Sequence, residues 1–309
     1  MAIGKGPVFL IAVACVAAAS CTGQDNDGSS VSSAEARQAP NAASAGTGQH
    51  PQTPQEPVTL APGLVVEYVR ASIQPSVDVG DRIITLVRID PSRHQFRLLT
   101  AADHGARTAA EWSRDFGLTG VINASMYRAD LRSTGLMIDG QQVNNGWNNP
   151  NFGAFFAFDP AGSDLAPVRL FGRACLDFDL ERIRKEYRVV IQNYRMMDCE
   201  SRPISWEDPK IYSVAAVAVD RGGWVVFIHS RTPYRMREFN TMLAESELGL
   251  SAAMFVEGGP EASLFVSTDH GKVEGIGSWE TGFYDGSNLL FWRIPNVVGF
   301  SPKGRGDDG

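Results

Sequence analysis

Three stretches of the chain set chemically capable side chains directly after apolar runs. Asn123-Ala124-Ser125-Met126-Tyr127 follows Val121-Ile122, His229-Ser230-Arg231 follows the run from Trp224 to Ile228, and Glu257-Gly258-Gly259-Pro260-Glu261-Ala262-Ser263 follows Ala252 to Val256. A carboxylate entering a glycine turn can act as acid, base or metal ligand, because glycine lets the backbone approach a ligand closely. Taken alone, Gly258-Gly259 also fits a plain turn, and Glu257 an ion pair with an arginine. His229 and Ser230 are adjacent, so on a strand they face opposite ways and form no dyad. Ser125 lacks the G-x-S-x-G setting of a nucleophile elbow. His94 and His104 have no partners at motif spacing, and Asp269-His270-Gly271-Lys272 reads as a polar turn. No Cys-x-x-Cys or Cys/His cluster suggests zinc, and neither a metal nor a cofactor is expected. Trp147, within Asn144-Asn145-Gly146-Trp147-Asn148-Asn149, offers either a sugar-stacking surface or only a solvated connection.

Strand-like runs carry these segments. Leu64 to Val69, Arg82 to Ile89 and Gln95 to Leu99 read as strands. Thr108 and Glu111 stand at capping-box spacing ahead of Trp112 and Phe116, which predicts a short helix ended by Gly117. Asp139-Gly140 fits a hairpin between Leu136-Met137-Ile138 and Gln141 to Val143. Phe152 to Phe158 is a further strand. Ile211 to Val219 and Trp224 to Ile228 form a hairpin across Asp220-Arg221-Gly222-Gly223. Arg235 to Leu248 predicts a helix with Met236, Phe239 and Leu243 on one stripe and Gly249 at its end. Ala252 to Val256 and Leu264 to Val266 complete the set. The order is neither regular βαβ nor all-β, so the fold class is α+β: one domain on a mixed β-sheet with a few packed helices.

The N-terminus reads as an export signal. Lys5 precedes an apolar run from Val8 to Ala19, too short for an ordinary membrane span, and Ala18-Ala19-Ser20 leads into Cys21. Small residues before a cysteine resemble the bacterial lipobox, in which the thiol is acylated, although Ala18 stands where leucine is commoner. A plain leader cut near Ser20 is the alternative. From Thr22 to about Pro57, Ser, Ala, Gln, Gly, Pro and Asn replace large apolar residues, as in a tether that cannot offset its ordering entropy. The expected organisation is a leader over 1–20, a lipidated Cys21 and tether over 21–57, a folded domain over 58–300 and a frayed tail over 301–309. This places the chain in the cell envelope, held to a membrane by its N-terminal lipid, most simply the outer membrane facing the periplasm. In that oxidising compartment Cys175 and Cys199 form an even pair and read as a disulfide, with two separate buried thiols as the alternative. The 309 residues carry a formal charge of -7 and a pI near 5.3, which makes nucleic acid a poor partner.

Taken in order, these segments resemble the phosphodiester glycosidase family from about Leu64 to Phe300. The resemblance rests on Val121 to Tyr127, on Thr134-Gly135-Leu136-Met137-Ile138-Asp139-Gly140 and on Ile191-Gln192-Asn193-Tyr194-Arg195-Met196-Met197. It continues through a strand hairpin, a helix with Glu238 near its start, Val256 to Ser263, and Ile294-Pro295-Asn296-Val297-Val298-Gly299. Three positions depart from the family pattern: Glu257 replaces aspartate, Ser125 replaces glycine, and Tyr212-Ser213-Val214 stands where many members carry an arginine. The resemblance implies hydrolysis of a sugar-1-phosphodiester through an oxocarbenium-like state. Glu257 would be the carboxylate at the anomeric carbon and Glu238 the second. Asn123 and Gln192 would meet sugar hydroxyls. Arg195 or Arg231 would face phosphate, with Ser230, Gly258 and Gly259 lining the site. The ligand implied is a carbohydrate or sugar phosphate. A non-catalytic glycan-binding lipoprotein and a purely structural one are the alternatives.

Overall fold

The computed structural model describes residues 56–304 apart from residue 246. The expected leader, Cys21 and the expected tether up to residue 55 lie outside the described residues. The chain runs β1 (Val58–Ala61), β2 (Leu64–Arg70), β3 (Ile83–Ile89), β4 (His94–Thr100), α1 (Ala101–His104), α2 (Ala109–Asp115) and β5 (Gly120–Asn123). It continues through β6 (Met137–Asp139), β7 (Gln142–Asn145), β8 (Ala154–Pro160), β9 (Val168–Gly172), α3 (Leu180–Glu186), β10 (Tyr187–Asn193), β11 (Tyr212–Asp220) and β12 (Val225–Tyr234). The last elements are α4 (Met236–Glu245), β13 (Leu250–Gly258), β14 (Ser263–Thr268), β15 (Gly271–Ile276), β16 (Trp279–Glu280), β17 (Tyr284–Asp285) and β18 (Asn296–Pro302). β18 extends two residues beyond Phe300, and the Lys303 amide donates to the Arg93 carbonyl, so residues 301–303 belong to the fold rather than to a frayed tail.

Strands dominate and helices are few, as expected, but the single mixed sheet is replaced by three antiparallel ones. The largest has the order β1-β2-β3-β12-β11-β16-β17, with β13 also pairing to β11; the others are β7-β6-β10-β8-β9 and β15-β14-β5-β18-β4. Hairpins make many of these neighbours, which removes the need for the helical crossovers that a parallel pair demands.

The helices are therefore free to cover outer faces. One core cluster joins all three sheets: Val87, Ala215 and Phe227 meet Ile122, Leu264 and Val298, and also Phe156 and Ile191. α4 packs Met236, Phe239 and Leu243 against the opposite face of the large sheet, with Val214, Ala216 and Ile228. Trp112 of α2 covers Val121, Phe265 and Val297, and Ile183 of α3 covers Phe155 and Val190. Alternation along β11 sorts its residues between the two faces, so Ala215 and Val217 look inward while Val214 and Ala216 look toward α4. The capping box of α2 forms as read: Thr108 Oγ1 accepts from the Glu111 amide, and Glu111 Oε2 accepts from the Thr108 amide.

Candidate functional site

Side-chain amides tie three distant segments together at the ends of their strands. Asn123, the last residue of β5, accepts from the Ser263 amide at 2.7 Å and donates to the Glu261 carbonyl at 3.0 Å. This staples the first motif to the turn of the third. Asn193, the last residue of β10, donates to Ser125 Oγ at 3.2 Å and to the Val256 carbonyl at 3.4 Å. Ser133 Oγ donates to Ser125 Oγ at 3.1 Å, and Asn145 donates to the Ser133 carbonyl at 2.8 Å. Asn123, Ser125, Ser133, Asn193 and Ser263 are all buried, so each bond is made where an unmade one would be costly.

Carboxylates gather on this frame. Glu257 is 3% exposed, and its Oε1 accepts from the Gly258 amide at 3.1 Å. It sits at a shift in the pairing of β11 with β13, where Ala215 opposes Glu257 and Ala216 opposes Phe255, so Val256 is the extra residue of a bulge. Cross-strand partners share a face, so Glu257 looks inward beside Ala215. His229 is the partner of Ala215 on its other side, and Thr85 is the partner of His229. A row of Thr85, His229, Ala215 and Glu257 therefore crosses four strands on one face. His229 Nε2 lies 3.3 Å from the Ala262 carbonyl, and a Cβ on Gly275 would stand 2.6 Å from the ring. Glycine at 275 is what lets the imidazole lie there.

Glu261 is 0% exposed on the 3-10 turn Gly259–Glu261, and Tyr127 donates to its Oε1 in a long contact of 3.5 Å. Glu280, on β16, closes toward the same place: its Oε2 and the Oε2 of Glu261 would lie 3.1 and 3.6 Å from a Cβ on Gly259. Gly259 has φ +70, so both strain and space reserve the position for glycine. Tyr212 pairs with Glu280 through the backbone. Burial holds its phenol far above the usual range; the Asp208 carboxylate accepting its proton adds to this, as does Glu280. It is thus a neutral donor at any working pH.

The other expected site residues are placed differently. Ser230 is the partner of Val214 and faces α4, away from Glu257, with Oγ donating to the Thr232 carbonyl at 2.8 Å. Glu238 rides on α4, which packs on that same opposite face, and it pairs with Arg235 at 3.2 Å. The sheet therefore separates the two carboxylates expected to act together. The Gln192 amide is consumed by the chain: Oε1 accepts from the Leu136 and Asn149 amides, and Nε2 donates to Asn148 Oδ1 and to the Asn149 and Phe152 carbonyls. It clamps the loop that follows β7. The Arg195 guanidinium lies against the sulphurs of the Cys175–Cys199 disulfide, with Nη2 2.9 Å from Cys175 Sγ and 3.3 Å from Cys199 Sγ. Arg231 donates to the carbonyls of Ile276 and Gly286, holding the segment that carries Glu280. Neither arginine is aimed at the Glu257–Glu261 turn. Gly258 and Gly259 do lie in that turn.

Four residues of the cluster carried no role in the sequence reading: His229, Glu261, Asn193 and Tyr127. Alternation separated His229 from Ser230, but which of the two faced Glu257 depended on the pairing of β11 with both neighbours. Glu261 lay inside the third motif, four residues after Glu257. Asn193 adjoined Gln192 at the end of the same strand, and the strand's last side chain proved to be the bridging one. Among the described residues no group of three or more His, Cys, Asp or Glu is arranged to hold a metal ion.

A model of the phosphodiester glycosidase family matches residues 116–301, a span that contains the whole cluster. Among solved structures, the chain is similar to the catalytic domain of zebrafish N-acetylglucosamine-1-phosphodiester alpha-N-acetylglucosaminidase, auto-inhibited by its pro-peptide. Identity is 12% and the TM-score 0.55, over 79% of this chain and 85% of that one. It is also similar to a hypothetical protein from Synechocystis, at 12% identity and a TM-score of 0.51 over 80% of this chain. The chain spans 63% of the Synechocystis protein's length. At this identity both likenesses are of fold. No curated protein matches the chain.

Proposed function

The chain belongs to the phosphodiester glycosidase family, and from that premise we propose that it hydrolyses the bond between an anomeric carbon and the oxygen of a phosphodiester. One observation carries the reading. Asn123 bonds both the Glu261 carbonyl and the Ser263 amide, so the segments Val121 to Tyr127 and Val256 to Ser263 meet around buried carboxylates. The anomeric C–O bond breaks with its electron pair going to the phosphate oxygen, water adds to the carbon, and the products are a free sugar and a phosphomonoester. Glu257 stabilises the developing oxocarbenium charge, and Glu261, in place of Glu238, takes the proton of the attacking water. Phosphate leaves as an anion, so little protonation of the leaving group is needed.

The test is incubation of the full chain with a set of sugar-1-phosphodiesters, beginning with the N-acetylglucosamine ester that the zebrafish relative's name describes, while free sugar is measured. Release of sugar is expected, and Glu257→Gln should cut it on the order of a hundredfold or more. Equal release by wild type and Glu257→Gln would remove Glu257 from the chemistry. A second reading, a non-catalytic glycan-binding protein, is favoured by the commitment of Arg195 and Arg231 elsewhere, since neither is aimed at a phosphate. No release from any ester by a chain that binds glycan would select it.

The proposed setting is the cell envelope, with Cys21 acylated and the domain outside the cytoplasm, most simply on the outer membrane facing the periplasm. The support is the run of Lys5, the apolar segment and Ala18-Ala19-Ser20-Cys21, followed by a tether-like composition. Metabolic labelling with a radioactive fatty acid should mark the wild type and not Cys21→Ala. Persistent labelling of the variant would refute the lipobox.

A further inference from the structure

The loop after β7 holds a feature that the hydrolytic cluster does not use. All six tryptophans of the chain fall among the described residues, and only Trp147 is exposed, at 53%. A ligand stacked on this ring would take its apolar face out of water. The loop is also fixed. Asn145 Oδ1 accepts from the Trp147 amide at 2.9 Å, while Asn145 Nδ2 holds the Ser133 carbonyl. On the other side Gln192 grips both the amide and the carbonyl of Asn149, and Arg173 donates to Asn148 and Asn149. A ring presented from a clamped loop loses little freedom when something stacks on it.

The surroundings indicate the chemistry of that ligand. Residues 141–153 contain no ionisable side chain, and the exposed Gln141, Gln142 and Asn148 accompany the ring. Amides beside one aromatic face suit a neutral pyranose, whose C–H face is apolar and whose hydroxyls pair with amide donors and acceptors. Arg173, the cation that touches this loop, is committed to the Phe152 and Asn149 carbonyls and to Asn148, so the groups beside the ring are amides rather than the charge a phosphate or nucleic acid calls for. Gln142, Val143 and Asn144, just before the ring in the chain, line a groove of about 970 Å3 shared with Arg97, Asp139 and Arg188, which Trp147 itself does not line. The loop connects to the carboxylates through an unbroken line of contacts: Asn145 to Ser133, Ser133 to Ser125, Ser125 to Asn193 and Asn193 to the Val256 carbonyl beside Glu257.

We infer that Trp147 is the stacking floor of a neutral saccharide subsite on the loop after β7, separate from the Glu257–Glu261 cluster, so that the chain takes an oligosaccharide rather than a lone sugar. The inference rests on the glycosidase reading only for the connection to cleavage; binding is measured without turnover. The full chain, Trp147→Ala and Trp147→Tyr are passed over an array of neutral glucose, N-acetylglucosamine, mannose and galactose oligomers in α and β linkage. Wild type should retain at least one oligomer series, Trp147→Tyr should retain the same series, and Trp147→Ala should bind it at least tenfold more weakly with an unchanged melting temperature. No retention of any oligomer by wild type, or equal retention by wild type and Trp147→Ala, overturns the subsite. Trp147-dependent binding without hydrolysis of any sugar-1-phosphodiester upholds the subsite and removes the glycosidase reading. Hydrolysis by a chain whose glycan binding ignores Trp147 does the reverse.

Discussion

Glu257 and Glu261 stand four residues apart, Glu257 opposite Ala215 of β11 and Glu261 with its carbonyl held by Asn123 at the end of β5. Glu238 has the same chemistry but belongs to the other side of the large sheet, paired with Arg235. Glutamine substitution separates these positions, since it preserves shape and removes charge. Glu261→Gln should lower hydrolysis on the order of a hundredfold, as loss of a general base does, whereas Glu238→Gln should leave it near wild type. Kinetics of the two purified variants on one sugar-1-phosphodiester check this, and a greater loss from Glu238→Gln would reinstate the carboxylate pair that the sequence suggested. Glu257 was singled out as a carboxylate before two glycines after an apolar run, and it is buried where β13 bulges. The destinations of Gln192, Arg195 and Arg231 were not legible. A long polar side chain finds its partner through tertiary contacts, here five groups for Gln192, two sulphurs for Arg195 and two carbonyls for Arg231, none of which an apolar or polar pattern specifies.

Strands of strong apolar alternation were legible with their turns, as was α2 from its capping box, because these signals are local. β9, α3 and β10 were not read as elements. In the sheet they help to build, β10 pairs with β6 and β8 across long stretches of chain, and periodicity does not specify such a pairing. The β3–β4 turn gives this scale its own prediction. His94 opens β4, pairs with Pro302 of β18, stacks edge-on against Phe300, and places Nδ1 3.1 Å from the Asp90 carbonyl. Burial pushes its pKa below the ordinary 6.5; the Asp90 carbonyl and carboxylate oppose this, and Arg93 reinforces it. The folded ring therefore binds fewer protons than the unfolded one just below pH 6.5. Its stabilising contribution is whole above that value and is lost as pH falls through the lower, folded pKa. Calorimetry between about pH 7 and pH 5 should show a declining melting temperature in the wild type and a shallower decline in His94→Gln. Identical slopes would mean that His94 is not the group responsible.

Three sheets share one core, and each turns its outer face to a helix, so the site is built where strands of all three come to their ends: Asn123 from one sheet, Asn193 from another, Glu257 from the third. Whole-molecule stability then matters to the site chiefly through how well the sheets stay joined. The Cys175–Cys199 disulfide contributes to this by closing 24 residues of sequence that include α3 and β10, with Cα atoms 5.6 Å apart. Restricting the unfolded chain over such a loop is worth about 3 kcal/mol in the loop-entropy view. Burial lowers the Arg195 pKa, Asp198 and Asp177 oppose that, and the guanidinium stays packed on the sulphurs. Double replacement Cys175→Ser, Cys199→Ser keeps polar atoms beside Arg195 while opening the loop. Urea unfolding should lose about 3 kcal/mol in the double variant, and hydrolysis measured well below its melting temperature should be unchanged, since the bridge acts mainly on the unfolded state. The unfolded, unreduced wild type should show no free thiol from this pair. Two titratable thiols would refute the bridge itself. A lost activity with retained stability would instead show that the bridge positions Asn193, six residues before Cys199, and through it the whole junction of sheets.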